Sequence, residues 1–237
     1  MEPRVLIVIP AYNEENTIAS VLFGLRHAAP KFARVVVNDG STDATGNLIS
    51  KLGEKQLRLP CNLGYGHAVQ TGLKYALIRG YDIVVCFDAD GQHRPEDVPG
   101  VVATLLGSGA DVVIGSRFCN GQPYRGSMSR RSGQVLFSLL TRLLTGRRIY
   151  DTTSGFKALR VAACDVIVRG TFMDFHTEMV VRLSLLGFNI VEQPIIVQER
   201  TFGRSMYSFG SVIEYPMKTL LLTMVAAVDA LLARRVR

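Results

Sequence analysis

Asp88 and Asp90 stand one residue apart where the apolar run Val84, Val85, Cys86, Phe87 ends, and Gln92 follows two residues later. Carboxylates this close repel each other and gain nothing from a core, so the spacing implies a positive partner. On a chain leaving a strand, side chains at i and i+2 can turn toward one hard cation, and oxygen donors suit Mg²⁺ or Mn²⁺. Mg²⁺ is typically held by one or two carboxylates together with substrate phosphates and waters. Asp88, Asp90 and Gln92 therefore supply enough protein oxygen for a metal that bridges a diphosphate.

Other routes to phosphate and acyl chemistry lack their residues. No GxGxxG or GxxxxGK[ST] follows the first apolar run, which removes dinucleotide and P-loop binding. No GxSxG occurs, and His27, His67, His93 and His176 show no HExxH spacing. Cys61, Cys86, Cys119 and Cys164 are scattered without a CxxC pair, so neither a disulfide framework nor a thiolate zinc site is indicated, and a reducing cytosol is the expected compartment. The start, MEPRVLIVIPAYNEE, has a short apolar run ended by Pro10 and followed by acid, which reads as a first strand and not as a signal peptide.

The net charge is +7, and its distribution is more informative than its size. Between Val112 and Tyr150 there is no Asp or Glu, while Arg117, Arg125, Arg130, Arg131, Arg142, Arg147 and Arg148 all fall there. Such a segment suits a partner carrying phosphates: a lipid headgroup, an anionic membrane or a nucleic acid.

These groups must be positioned by a scaffold, and the hydrophobic pattern supplies one. Continuous apolar runs at Val5–Ile9, Arg34–Val37, near Leu57, at Ile83–Phe87 and at Val112–Ile114 alternate with helical spacing at Glu14–His27, Ala44–Leu52, Gly66–Ile78 and after Pro95. That alternation predicts a mostly parallel α/β sheet with helices on both faces. Ligands of such sheets bind beyond the carboxyl ends of the strands. Those ends here read Pro10–Glu14, Asn38–Asp43, Asp88–Asp90 and Gly115–Arg117. Beyond Tyr150, DTTSGFKALR predicts a loop entering a strand, Thr177–Leu186 a helix and Ile190–Val197 a strand. With a chain of 237 residues and 48% hydrophobic residues, one domain over 1–201 is expected, with an extension over 202–237.

Val8-Ile-Pro-Ala-Tyr-Asn-Glu14, Val37-Asn-Asp-Gly-Ser-Thr-Asp43, Asn62-Leu-Gly-Tyr-Gly66, Phe87-Asp-Ala-Asp-Gly-Gln92, Gly115-Ser-Arg117 and Asp151-Thr-Thr-Ser-Gly-Phe-Lys157 occur in that order. As a set they resemble a family 2 glycosyltransferase of the dolichol-phosphate mannose synthase type. The resemblance implies a GT-A fold and transfer of a hexose from a nucleotide-diphosphate sugar, of the GDP-mannose or UDP-glucose kind, to a polyprenyl phosphate. It implies nucleotide-sugar contacts at Pro10, Tyr12, Glu14, Asp39, Asn62, Gly64, Asp88 and Ala89, and a metal at Asp88, Asp90 and Gln92. The residues agree: Asp39 can accept a base N–H, and the glycines of NLGYG allow backbone to approach a ligand. Asp43 reads instead as a turn and cap former, and His67 as a surface residue. Asn38 stands where the family often has an aspartate. The QxxRW motif of processive synthases is absent, and Gln198-Glu-Arg200 with Gly203-Arg-Ser205 resembles the family's acceptor loop.

A lipid monophosphate is already an anion, so transfer with inversion requires no strong base, only alignment and charge neutralisation. Arginines suit the acceptor phosphate, and Arg117, Arg131, Arg200 and Ser205 are its candidates, with Arg130 a substitute for Arg131. Asp90, Arg117 and Asp151 are the candidate catalytic residues, Asp151 as an orienter of acceptor or sugar. The other classes considered are transfer to a saccharide or soluble acceptor, a nucleotidyltransferase, which should carry a glycine- and lysine-rich loop that PAYNEEN lacks, and an inactive membrane-surface adaptor. Val135, Leu136, Phe137, Leu139, Leu140, Leu143 and Leu144 between basic pairs predict a helix in the headgroup plane. The apolar stretch Leu220–Ala233 falls short of the ~20 residues of a spanning helix unless extended through Glu214 and Lys218, so an amphipathic or homo-oligomer-forming helix is expected there. The expected setting is peripheral, at the cytoplasmic face of an anionic membrane, with no nucleic acid partner.

Overall fold

The computed structural model describes residues 2–119, 128–170, 174–198 and 211–235, with the side chains of 128–132, 211–215 and 235 outside the description. The strands are β1 (Val5–Ala11), β2 (Ala33–Asn38), β3 (Gln56–Arg58), β4 (Ile83–Cys86), β5 (Val112–Ser116), β6 (Lys157–Arg160) and β7 (Ile190–Pro194). The helices are α1 (Ile18–Ala28), α2 (Thr45–Lys51), α3 (Tyr65–Ile78), α4 (Asp97–Gly107), α5 (Met128–Thr145), α6 (Val161–Arg169), α7 (Thr177–Leu185) and α8 (Ser211–Arg235). One seven-stranded sheet runs β3-β2-β1-β4-β6-β5-β7.

The period-2 alternation within each strand divides the core into two layers. Ile7, Ile9, Val36 and Val85 face α1, α2 and α4 through Leu22, Leu25, Ile49, Val98 and Leu105. Leu6, Val8, Val35 and Val84 face α3, α6 and α7 through Val69, Leu73, Ile167, Met179 and Leu183. Both faces are covered, as continuous apolar strands require.

The sheet is mostly parallel, as expected, but β6 runs antiparallel to both of its neighbours, β4 and β5. Lys157 at the start of β6 pairs with Cys86 and with Ile114. The loop 151–156 is thereby delivered to the same edge as the ends of β1, β2, β4 and β5. Hydrophobic runs do not encode strand direction, so this placement lies beyond periodicity; α6 was likewise not foreseen.

Three boundaries differ from the sequence reading by more than a residue or two. The first helix begins at Ile18, not Glu14. The Glu14 N–H is drawn to the Thr45 hydroxyl (2.8 Å), and Glu14 stays at the sheet edge. β7 stops at Pro194, short of Val197, and Val197 instead bridges to His93. At the C-terminus, α8 does extend through Glu214 and Lys218, and Pro216–Arg234 is long and apolar enough to cross a membrane by length and composition, with 28% of that window buried.

The face that α8 packs on the protein is made of small residues. Its small residues Thr219, Thr223, Ala226, Ala227 and Ala230 are buried, Ala227 and Ala230 among them against Val181 and Leu185 of α7, whereas Leu221, Val225, Val228, Leu231 and Leu232 are exposed. Ion pairs Arg182–Asp229 (2.6 Å) and Lys218–Asp174 (3.0 Å) fix the packing.

Close packing of α3 on β1 depends on Gly72. A Cβ there would sit 2.2 Å from Val8 Cγ1. Gly72→Ala is expected to lower unfolding free energy by about 1–3 kcal/mol through overpacking, measured by denaturant titration. Adding Val8→Ala should recover part of the loss, because it removes the atom struck.

Candidate functional site

The first two strand ends are interlocked by side chains. Asn13 adopts φ 54, a conformation Asn tolerates, and its Oδ1 accepts the Thr42 N–H at 2.9 Å while its own N–H donates to Ser41 Oγ at 3.1 Å. Glu14 Oε2 accepts the Thr17 hydroxyl at 2.8 Å. Tyr12 is 43% exposed beside them, and Pro10 is buried near the end of β1. Asp43 accepts the Thr45 N–H at 2.9 Å ahead of α2, the turn role read for it.

Asp39 is nearly buried, and its carboxylate organises the NLGYG loop. Oδ1 accepts the Leu63 N–H (2.8 Å) and Oδ2 the Gly64 N–H (2.9 Å). Asn62 Oδ1 also accepts the Gly64 N–H at 2.9 Å. Gly64 begins α3 at φ 95, open to glycine and strained for other residues. At Gly40, a Cβ would lie 2.4 Å from the Cys61 carbonyl carbon, so the two loops touch backbone to backbone. An ionised carboxylate accepts about four hydrogen bonds, so each Asp39 oxygen keeps capacity for a ligand donor. His67 is exposed, as read.

Asp88 lies at the end of β4 with its side chain 23% exposed. Tyr65 donates its hydroxyl to Oδ1 at 3.0 Å, and His93 Nε2 lies 3.3 Å from Oδ2. Burial opposes ionisation of Asp88, but the His93 contact and the Tyr65 hydroxyl outweigh it and hold its pKa below the usual carboxylate range. Burial and the negative charge of Asp88 push the Tyr65 phenol well up, so it stays a donor. The His93 ring packs on Phe87 and Phe156, and the Tyr65 ring stacks on His176 at 5.5 Å and 10°. On the remaining side, Gly155 abuts the carboxylate: a Cβ there would be 2.2 Å from Asp88 Oδ2. Tyr65, His93 and Gly155 were not singled out from sequence for this role, although Tyr65 and Gly155 sit inside the quoted motifs.

Arg117 and Asp151 form a chelate. Asp151 is fully buried. Its Oδ2 accepts the Arg117 N–H (3.0 Å) and Nε–H (2.7 Å), and its Oδ1 accepts from Nη2 (2.7 Å). Thr153 Oγ1 accepts a further bond from Nη2 at 3.0 Å. Burial alone would raise the pKa of Asp151, but the guanidinium reverses this and lowers it. Glu192 on β7 supports the turn by accepting the Tyr150 N–H (2.7 Å) and Asp151 N–H (2.8 Å). Asp151 therefore fixes the plane of Arg117, whose side chain is 23% exposed.

Arg131 lies in α5 with its side chain outside the described residues, and Arg200 and Ser205 lie outside them altogether. Of the other candidates, Pro10 lies inside β1, paired with Val37, and Tyr12, Glu14, Asp39, Asn62, Gly64, Asp88, Ala89, Asp90, Gln92, Arg117 and Asp151 follow the ends of β1 to β5 or precede β6 on that same edge.

The donor set fits a hard divalent cation. Gly91 turns at φ 73 between Asp90 and Gln92, and Asp90 Oδ1 accepts the Gln92 N–H at 3.0 Å. Among the described residues no group of three or more His, Cys, Asp or Glu would enclose an ion. Two carboxylates and an amide oxygen at an open edge suit an ion whose shell a diphosphate completes.

Burial, and next the positive charge of Lys157, lower the His176 pKa to about 4, so the ring is neutral in the fold at neutral pH. The unfolded chain protonates near 6.5. Stability from this group is therefore full above about pH 6.5 and is lost as pH falls toward 4. Denaturant titrations at pH 7 and 4.5 should show wild-type protein losing roughly 1–3 kcal/mol more than His176→Phe, which preserves the stack on Tyr65 without titrating.

The family described as glycosyl transferase family 2 matches residues 6–168. The chain is similar to undecaprenyl-phosphate mannosyltransferase of Micrococcus luteus, 35% identical over 219 residues that cover 88% of this chain and 89% of that protein. It is similar to polyprenol monophosphomannose synthase of Mycolicibacterium smegmatis, 32% identical over 226 residues covering 91% and 85%. Among solved structures, glucosyl-3-phosphoglycerate synthase from Mycobacterium tuberculosis, in complex with Mn²⁺, UDP-glucose and phosphoglyceric acid, shares the fold with a TM-score of 0.67 at 20% identity, covering 95% of this chain and 80% of that chain. With a GT-A sheet, a family match over most of its length and relatives above 30% identity across nearly all of it, the chain belongs to glycosyl transferase family 2 and is a glycosyltransferase.

Proposed function

We propose that the protein transfers a hexose from a nucleotide-diphosphate sugar to a polyprenyl phosphate, with inversion at the anomeric carbon. The observation that carries this reading is the loop 151–156. Its Gly155 presses on Asp88, and its Asp151 and Thr153 hold Arg117. One rigid segment thus sets a carboxylate for the donor end beside a cation for the acceptor end. The relatives named for undecaprenyl-phosphate and polyprenol acceptors support the acceptor class.

In this reading Tyr12, Glu14, Asp39, Asn62, Gly64 and Ala89 line the nucleoside side, with Pro10 beneath them. Asp88, Asp90 and Gln92 would hold Mg²⁺ or Mn²⁺, which when bound neutralises the diphosphate leaving group. A phosphate oxygen of the lipid attacks the anomeric carbon while the bond from that carbon to the diphosphate breaks. Asp151 is spent on Arg117 and is no base; the acceptor is already ionised, so none is required. The fixed guanidinium orients the acceptor phosphate, a task suited to a planar, always charged group; Arg131, Arg200 and Ser205 remain its further candidate partners from sequence.

The test is transfer of labelled sugar from GDP-mannose and UDP-glucose to a polyprenyl phosphate. Asp90→Asn is expected to reduce turnover about 100-fold or more with either metal, the scale of losing one preorganised electrostatic partner. Near-normal turnover would overturn the metal reading.

The surface of α5 and α8 is the proposed membrane contact. Val135, Leu136, Leu139 and Leu143 of α5 are exposed, although Phe137 of the expected face is buried, and Met217, Leu220, Leu221, Met224, Val225, Val228, Leu231 and Leu232 of α8 are exposed as well. The acid-free arginine segment surrounds the first of these helices. With its small-residue face held on α7, α8 lies along the protein and offers its leucines to the headgroup and acyl boundary. Flotation with liposomes is expected to show binding to anionic vesicles that salt weakens. Absence of binding at low salt would refute peripheral attachment, and resistance to alkaline carbonate extraction would show that the helix spans.

A further inference from the structure

Lys157 is a charged residue that neither the sequence reading nor the family-level reaction uses. It is fully buried, and its neighbours in the sheet are Cys86, the last residue of β4 before Asp88, and Ile114 of β5, the strand that leads to Arg117. Its ammonium donates to the Ser154 carbonyl and, at 3.2 Å, to the Phe175 carbonyl. The nitrogen also lies 4.9 Å from the centre of the Phe175 ring. Burying an ammonium is costly, and its bonds to main-chain carbonyls offset part of that cost, so both carbonyls are held to it.

What they fix lies on either side of Asp88. Ser154 precedes Gly155, which abuts the Asp88 carboxylate. Phe175 precedes His176, which stacks on Tyr65, the hydroxyl donor to Asp88. Phe175 holds φ 63, a conformation a bulky residue adopts only when its surroundings impose it. A second tie joins the same two segments, the Thr152–Thr177 hydroxyl pair at 2.9 Å.

We propose that Lys157 is a positioning residue for the donor end of the site: its ammonium ties loop 151–156 to segment 174–177 and so sets both surfaces that close on the Asp88 carboxylate. The inference rests on the reading that Asp88 meets a metal and a diphosphate. Lys157 acts through Gly155 and through the His176–Tyr65 stack, without touching substrate. Loosening the tie lets Gly155 retreat and Tyr65 swing, and the carboxylate loses its fixed direction.

The experiment is a calorimetric titration of Mn²⁺ with UDP, and in parallel with GDP, into wild type, Lys157→Met, Thr152→Val and Asp90→Asn, each checked for folding by circular dichroism and thermal melting. Lys157→Met keeps the length of the side chain and removes the charge. It is expected to weaken Mn²⁺-dependent nucleoside diphosphate binding about 10-fold or more, with Thr152→Val weakening it less and in the same direction. In transfer assays Lys157→Met should raise the donor KM by a larger factor than the acceptor KM. A folded Lys157→Met with wild-type affinity overturns the inference. If Lys157→Met does not fold, Thr152→Val decides, and wild-type affinity there overturns it equally. Equal binding by wild type and Asp90→Asn would instead overturn the metal reading itself, and the inference with it.

Discussion

Placing ionised carboxylates inside a protein edge is the constraint on which this structure depends. An ion without a partner in such a place costs several kcal/mol after relaxation, so each buried acid must be matched before a substrate arrives. Asp151 is matched by the fork of Arg117, with three hydrogen bonds from one residue. Asp88 is matched by His93 and Tyr65. Lys157 lies in the sheet between the two, its own pKa lowered to about 8 by burial although Asp151 and Asp88 work against that. Asp151 and Asp88 are thus matched by the protein itself, and what the site offers outward is the exposed part of Arg117 and the open side of Asp88, Asp90 and Gln92.

The sheet exists to bring these groups together. Parallel β1, β2, β4 and β5 deliver their ends to one edge, and antiparallel β6 delivers the loop before it to that same edge. Without the reversal at β6, loop 151–156 would lie at the opposite edge, and neither Gly155 nor Asp151 would reach a partner. The glycines serve the same end: Gly155 because Asp88 occupies the space of a side chain, and Gly40 because the NLGYG loop does.

The C-terminal helix shows the limits of composition as a guide. Its buried stripe is Thr and Ala and its exposed face is Leu, Val and Met, the reverse of a helix packed for water. Small residues let α8 approach α7 closely, while Arg182–Asp229 and Lys218–Asp174 set its register. An exposed apolar face of that extent is the basis of the membrane contact proposed above.

The sequence by itself determined the alternation of strand and helix, the edge on which polar chemistry gathers, the metal-type spacing of Asp88, Asp90 and Gln92, and the family, because each is written in local patterns: period 2 or 3.6, residue type at a strand end, and motifs in fixed order. It also identified Asp43 as a turn former. Only the tertiary structure decided the direction of β6, the commitment of Asp151 to Arg117, the binding of Asp39 to the amides of Leu63 and Gly64, the bracketing of Asp88 by Tyr65, His93 and Gly155, and the burial of Lys157. Apart from the contact of Asp88 with nearby His93, each of these joins residues 23 or more positions apart, or depends on which way a strand runs. Hydrophobic periodicity carries no information on either, since a strand reads the same in both directions and a side chain's partner is chosen by packing.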